Sequence, residues 1–121
     1  MSGAARPLVS VITPARNSAG SIGTLLDALE AQTLPRERWE LVVVDDASDD
    51  DTAAVVERRG WPRVVRNATK LGSGPSRNVG VAHARGELLA FTDSDCIPDP
   101  GWLAAGVERF ERDSGLAGLA G

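Results

Sequence analysis

Two acidic residues, Asp93 and Asp95, follow a short apolar run at positions 88–91 in the stretch LLAFTDSD. Residues two apart in an extended backbone point to the same side, so both carboxylates are expected to face one region. Two carboxylates about 4 Å apart near a protein surface repel by about 4 kcal/mol. Hard divalent cations prefer such oxygen ligands. The pattern therefore favours a cation site at Asp93 and Asp95 over the simpler alternative of a solvated turn.

A second acidic pair, Asp45 and Asp46, follows the apolar run at positions 41–44. If the two runs are neighbouring strands, four carboxylates converge on one crevice, which requires a cation or hydrogen-bond donors. The alternative is that these acids cap the next helix. That capping role is the one predicted for Asp49, Asp50 and Asp51 ahead of Thr52, and for Asp99, with Pro100 as the first helical residue.

The segment KLGSGPSRNVG, at positions 70–80, could hold phosphate oxygens. Gly72 and Gly74 offer exposed backbone amides, and Arg77 offers a guanidinium at the head of a predicted short helix. The glycines do not form a dinucleotide fingerprint, because that motif directly follows the first strand. We interpret Arg77 as a contact to a diphosphate.

Continuous apolar runs predict the strands that position these residues, and apolar residues at helical spacing predict the helices. Strands are predicted at 8–12, 41–44, 64–65 and 88–91, and helices at 22–29, 52–59, 76–84 and 103–110. Strict alternation of strand and helix predicts an α/β fold, with a Rossmann-like, mostly parallel sheet and flanking helices. Ligands of such sheets bind beyond the carboxyl ends of the strands, where Pro14, Arg16 and Asn17 follow the first strand.

Composition excludes several classes of protein. The 121 residues suit a single domain, 1–121, and 42% hydrophobic with 25% charged residues is typical of a globular protein. A net charge of −4 with no basic cluster argues against nucleic-acid binding. The sequence shows no secretory signal and no transmembrane segment. The single Cys96 excludes an internal disulfide and fits a reducing compartment, so we expect a cytoplasmic location.

Three segments in one order, VSVITPARN, WELVVVDDASDDDT and GPSRNVGVAHARGELLAFTDSDCIPDPGWL, resemble the family 2 glycosyltransferases of the GT-A fold. The resemblance covers about residues 7–110, the donor-binding, N-terminal portion of such enzymes. It implies transfer of a sugar from a nucleotide-diphosphate donor, usually a UDP-sugar, to an acceptor hydroxyl with inversion. It also implies a bound Mn²⁺ or Mg²⁺.

The resemblance assigns roles at the nucleoside end of the donor. Pro14, Arg16 and Asn17 match the first nucleotide-contacting loop of the family. Asp46 matches the acid that accepts a hydrogen bond from the base, usually uracil, and Asp45 supports it.

The resemblance assigns the phosphate end to three further residues. Arg77 matches the arginine near the ribose and phosphates. Asp93 and Asp95 match the DxD motif, in which Asp93 faces the ribose and shares the metal site, while Asp95 holds the metal on the donor diphosphate. The sequence departs from the family pattern at Ala47, where glycine is frequent, and at Cys96, where a further acid often follows.

The acceptor side is not assigned by these motifs. The family's catalytic base lies in its second half, so we expect the base and the acceptor pocket beyond Gly121, in a chain that is a partial or truncated protein. The acceptor is unknown, and a glycan or a lipid-linked molecule is compatible with the family. Peripheral attachment at the inner face of a membrane is also compatible with it.

One alternative is a nucleotide-binding remnant without transferase activity. A phospho-receiver-like signalling domain is disfavoured, because its acid pair would follow the first strand, which here ends in Thr13 and Pro14.

Overall fold

The computed structural model describes residues 6–113 and 118–120, the last three by their backbone. Within these residues an α-helix follows each of the first four strands, and a fifth strand comes last. The strands are β1 (Val9–Ala15), β2 (Trp39–Asp45), β3 (Arg63–Arg66), β4 (Leu88–Phe91) and β5 (Gly118–Ala120). The helices are α1 (Ile22–Glu30), α2 (Thr52–Glu57), α3 (Ser73–His83) and α4 (Trp102–Arg112), and a short 3-10 turn at Arg36–Arg38 precedes β2.

The five strands form one sheet in the order β3-β2-β1-β4-β5, and every described pairing is parallel. β1 is the central strand: its Val9 pairs with Trp39 of β2 on one side and with Leu88 of β4 on the other. The chain therefore runs outward from β1 to β3 and then returns to the opposite side of β1. The α/β fold predicted from the sequence is confirmed, and its ligand crevice is expected at the carboxyl ends of β1 and β4, where the direction reverses.

The core is built on both faces of β1 and β2, whose residues are all buried. On one face, Val9 and Val11 belong to an apolar cluster with the fully buried side of α1, whose members are Ile22, Leu25, Leu26 and Leu29. On the other face, Ile12 of β1 meets α3 at Gly80, as the period-two alternation of a strand requires. The predicted apolar face of α1 is confirmed.

Two predicted helix starts are wrong. α3 begins at Ser73, three residues before the predicted start at Ser76, because Gly72 precedes it with a φ of 98°. α4 begins at Trp102, so Pro100 lies outside the helix and is not its first residue. The Asp99 carboxylate accepts a hydrogen bond from the Gly101 N–H (3.0 Å), which closes the turn before the helix. β5 was not predicted from the sequence.

A buried glutamate fastens the segment between α3 and β4 to the amino ends of the central strands. Glu40 of β2 accepts hydrogen bonds from the Ser10 hydroxyl (2.6 Å) and from the Arg85 N–H (2.7 Å). The Gly86 N–H in turn donates to the Ser10 oxygen (2.8 Å). These bonds fix the start of β4, and with it the position of the acids that follow β4.

We expect Glu40→Gln to lower the free energy of unfolding by about 1–3 kcal/mol near neutral pH, since buried donors lose a charged acceptor. Burial alone raises the pKa of Glu40, but the hydrogen bonds from Ser10 and Arg85 outweigh it and hold the pKa below its ordinary value. A lowered pKa in the folded state stabilises the fold above the ordinary glutamate pKa of about 4.3. That stabilisation is lost as the pH falls through the lower pKa of the folded protein.

Urea unfolding at a series of pH values from neutral to strongly acidic measures this effect. The difference in stability between the parent protein and Glu40→Gln should shrink as the pH falls. An equal difference at every pH would contradict a role for the charge of Glu40.

Candidate functional site

A cleft of about 200 Å³ opens at the carboxyl edge of the sheet, beside the ends of β1 and β4. Four of the predicted site residues line it, namely Pro14, Arg16, Asp46 and Asp93, together with Lys70. They come from the end of β1, the loops after β1, β2 and β4, and the segment before α3, and Pro14 lies within β1 rather than after it as expected. The structure thus brings the predicted edges together in one crevice.

The acidic turn, residues 93–96, occupies one side of this cleft. β4 ends at Phe91, and the Cys96 N–H donates to the Asp93 carbonyl (3.1 Å), which closes a tight turn. The expectation that the backbone from Asp93 to Asp95 is extended is therefore wrong. Their proximity nevertheless holds, because ligand atoms of Asp93, Asp95 and Cys96 all lie within 4.8 Å of one another.

The acidic turn fits a divalent cation. An ion held about 2.0 to 2.6 Å from each ligand brings ligand atoms to within about 5 Å of one another, which the three side chains already satisfy. Asp93 and Asp95 are exposed, so space remains beside them for further oxygen ligands. Cys96 adds a thiol where the family often has another acid.

Arg77 reaches the acidic turn from α3. Its Nη2 donates to Asp93 Oδ1 (3.1 Å), and both side chains are partly exposed, so this ion pair contributes at most about 1 kcal/mol. Arg77 lines a larger cavity of about 500 Å³ between α3 and Phe91 rather than the cleft itself. Its guanidinium partly offsets the repulsion within the acidic turn.

Asp46 is buried, and the segment before α3 occupies most of its capacity as an acceptor. Oδ1 accepts from the Leu71 N–H (2.8 Å) and from Asn67 Nδ2 (2.9 Å), and Oδ2 accepts from the Gly72 N–H (2.9 Å). Burial raises the pKa of Asp46, but these hydrogen bonds outweigh it and keep the pKa below its usual value. Asp46 is therefore an ionised anchor for Gly72, whose φ of 98° suits glycine.

Asp45 and Asn17 lie at the same edge but hold the loops rather than line the cleft. Asp45 is buried, and its Oδ1 accepts from the Ser48 N–H (3.3 Å). The Asn17 N–H donates to the Ser48 hydroxyl (2.9 Å), and Asn17 Oδ1 accepts from the Asp49 N–H (2.8 Å). Asn17 and Ala47 have φ values of 52° and 56°, in the left-handed region that side chains rarely adopt. The turn after β2 is thus closed with a strained alanine where glycine is frequent in the family.

The predicted caps of α2 are correct for one of three acids. Asp50 Oδ1 accepts from the Thr52 N–H (3.0 Å), the first amide of the helix. Asp51 occupies the position before the helix, but its side chain makes no capping hydrogen bond. Asp49 forms an ion pair with Arg16 (3.6 Å) instead.

A contact that the sequence did not predict joins the acidic turn to the loop after β1. Ser18 Oγ lies 2.9 Å from Ser94 Oγ, and the Ser18 N–H donates to the Thr52 hydroxyl oxygen (2.8 Å). We call the Ser18–Ser94 contact the serine bridge. Serine is common in polar loops, so nothing in the sequence distinguishes these two residues from their neighbours.

The parallel sheet and the cleft at its switch point define a domain of the GT-A glycosyltransferase type, as a comparison with solved structures shows. The sequence profile described as "Glycosyl transferase family 2" matches residues 10–119, and the chain belongs to that family. Both the family and the fold expected from the three sequence segments are confirmed. No helix in the described ranges is long and apolar enough to cross a membrane.

Among similar proteins, Glycosyltransferase AglE of Haloferax volcanii is 36% identical over 108 residues, which is 86% of this chain and 36% of AglE. A crystal structure of S. aureus TarS in complex with UDP superposes with a TM-score of 0.81 at 35% identity, over 86% of this chain and 32% of that one. The mannosyltransferase PcManGT from Pyrobaculum calidifontis, in complex with GDP-Man and Mn²⁺, gives a TM-score of 0.84 at 33% identity, over 93% of this chain and 34% of that one. This chain therefore spans about a third of the length of these relatives.

Proposed function

We propose that this chain binds the nucleotide diphosphate of a sugar donor, as the donor-binding portion of an inverting, metal-dependent glycosyltransferase. The observation that carries the proposal is the acidic turn, where the ligand atoms of Asp93, Asp95 and Cys96 lie within 4.8 Å of one another. It lies at the rim of a cleft lined by Pro14, Arg16 and Asp46. The TarS complexes with UDP and UDP-GlcNAc and the PcManGT complex with GDP-Man and Mn²⁺ support the choice of ligand.

In this proposal the phosphate end of the donor lies at the acidic turn. Asp95 and Asp93 would hold Mn²⁺ or Mg²⁺, an ion that stabilises negative charge on a departing diphosphate when it is bound. Arg77 already donates to Asp93 and has a planar fork that matches phosphate oxygens. Its role is to add a second positive charge to the leaving group.

The nucleoside end lies in the cleft between Pro14, Arg16 and Asp46. Asp46 stays ionised at neutral pH, so it can only accept hydrogen bonds, which suits the N–H of a uracil ring. We propose a UDP-sugar as the donor on this ground. Asp45 and Asn17 act indirectly, by holding the two loops that carry the lining residues.

Sugar transfer itself also requires a base and an acceptor pocket, and we assign neither to a described residue. The acceptor hydroxyl, on a glycan or a lipid-linked molecule, is part of the proposal for the whole enzyme. A cytoplasmic location, with peripheral attachment to a membrane, is likewise part of this proposal. The alternative of a nucleotide-binding remnant predicts the same binding but no transfer of labelled sugar.

Calorimetric titration with UDP in Mn²⁺ and then in excess chelator tests the proposal. We expect UDP to bind at least tenfold more tightly with Mn²⁺, because a charge-assisted contact contributes about 1.5–3 kcal/mol. Uridine, which lacks the diphosphate, serves as the control and should bind alike in both conditions. Equal affinity for UDP with and without the metal would contradict the assignment of the acidic turn.

A further inference from the structure

Ser18 connects the acidic turn to the body of the protein. Ser18 is 9% exposed, and its backbone N–H donates to the Thr52 hydroxyl oxygen (2.8 Å). Thr52 is fully buried at the head of α2, where Asp50 accepts from both its N–H and its hydroxyl. The loop after β1 is therefore fixed to α2 before the Ser18 side chain makes any contact.

The hydroxyl of Ser18 is free to receive a hydrogen bond from the acidic turn. Ser18 Oγ donates its single proton to the Arg16 carbonyl (3.1 Å). In the serine bridge (2.9 Å) either hydroxyl can be the donor, and Ser18 can accept from Ser94 while its own proton stays on the Arg16 carbonyl. Ser94 lies in the acidic turn between Asp93 and Asp95.

Two side chains from elsewhere in the described residues bond to the acidic turn: Ser18 at Ser94 and Arg77 at Asp93. The two tethers differ in what a phosphate ligand does to them. Phosphate oxygens compete with Asp93 for the Arg77 guanidinium, because both are anionic partners of the same fork. The serine bridge is neutral and part-buried, at the wall of the cleft, so a phosphate ligand does not compete for it as it does for a guanidinium.

We propose that Ser18 is a positioning residue, whose hydroxyl holds Ser94 so that Asp93 and Asp95 keep the spacing that one divalent cation requires. The two carboxylates repel each other and are exposed, so without this tether only the Cys96–Asp93 backbone bond and Arg77 oppose their separation. This role rests on the proposed function, and it adds a residue outside the acidic turn to the metal–diphosphate site.

The test uses Ser18→Ala, Ser94→Ala and the double variant, each titrated with UDP in Mn²⁺ and in chelator. Ser18→Ala removes the hydroxyl and leaves the backbone bond to Thr52 intact. Supporting residues of metal sites typically contribute 10- to 100-fold in affinity. We expect about a tenfold loss with Mn²⁺ in either single variant, no loss in chelator, and no further loss in the double variant, since both changes remove one bond.

Ser21→Ala is the matched control, because Ser21 lies in the same loop and its hydroxyl bonds weakly (3.5 Å) to the Ser18 carbonyl. It should bind UDP like the parent. The single cysteine, Cys96, gives a readout without metal or nucleotide, since it ends the acidic turn. Iodoacetamide should alkylate Cys96 several-fold faster in Ser18→Ala than in the parent or in Ser21→Ala.

The outcomes separate this inference from the function on which it rests. If the parent binds UDP equally with and without Mn²⁺, both fall. If the parent depends on Mn²⁺ but Ser18→Ala matches it, the positioning role alone is overturned. An equal loss in Mn²⁺ and in chelator, or additive losses in the double variant, overturns it too, because either result means that Ser18 acts through the fold.

Discussion

Replacing Asp95 with alanine is expected to weaken UDP binding about 100-fold in Mn²⁺ and to leave the affinity in chelator nearly unchanged. Asp95 offers one of the two carboxylates of the acidic turn, and its side chain is exposed, so its loss removes a proposed metal ligand without opening a cavity. Even supporting residues of metal sites contribute 10- to 100-fold in affinity, so a direct ligand is expected at the upper end. Calorimetric titration of UDP in both conditions measures the effect.

Asp51→Ala is the control for charge at the same edge of the sheet. Asp51 is exposed, and its side chain makes no capping hydrogen bond at α2, so its loss should change neither stability nor UDP binding. Asp93→Ala is less informative, because it also removes the partner of Arg77. If Asp95→Ala kept the Mn²⁺ dependence of the parent, the cation would have to bind elsewhere.

A large loss of stability is expected from Gly80→Ala in α3. A Cβ atom at this position would lie 2.5 Å from Ile12 Cγ2 and 3.2 Å from Val44 Cγ2, in the fully buried face of the sheet. Overpacking of this kind costs about 1–3 kcal/mol, which outweighs the better helix propensity of alanine. The helix must move away from β1 and β2, so Arg77 should move with it and UDP should bind more weakly.

Gly74→Ala is the matched control on the same helix. A Cβ at Gly74 meets no atom within 4 Å apart from its chain neighbours, so alanine should not overpack the core, and its gain from lower backbone entropy in the unfolded chain is offset because Pro75 disfavours a helical residue with a Cβ before it. Urea unfolding of both variants gives the two free energies. The same change in one helix is thus expected to be costly at Gly80 and nearly neutral at Gly74, and equal effects would show that α3 does not pack closely on the sheet.

The parts of the fold that depend on local pattern could be predicted from the sequence. The apolar run at 41–44 became the buried strand β2, and the spacing of Ile22, Leu25, Leu26 and Leu29 became the buried face of α1. The loops that form the site could be predicted, because parallel strands place the residues that follow them at one edge of the sheet. That rule alone brought Asp46 and Asp93 to the same cleft.

The parts that depend on distant hydrogen bonds could not be predicted. Asp46 binds the amides of Leu71 and Gly72, and this anchor starts α3 at Ser73. Ser76 was expected near the helix start, but it is buried in the second turn and accepts from Asn67 Nδ2 (3.1 Å). Such contacts follow from the register of the strands and the path of the loops, and no pattern within a short window encodes them.

The central place of β1 bears on how the chain is made. β1 is synthesised before both of its partners, and the partner on one side, β4, emerges only after β2 and β3. Ribosomes synthesise chains at about 5–20 residues per second, and domains fold as they emerge. Parallel strands that are far apart in sequence pair slowly. A nascent chain that is paused before Leu88 therefore exposes the unpaired backbone groups of β1, on the side where β4 later pairs, to other chains. Chaperone binding or aggregation on the ribosome would begin at that edge, which the finished protein hides completely.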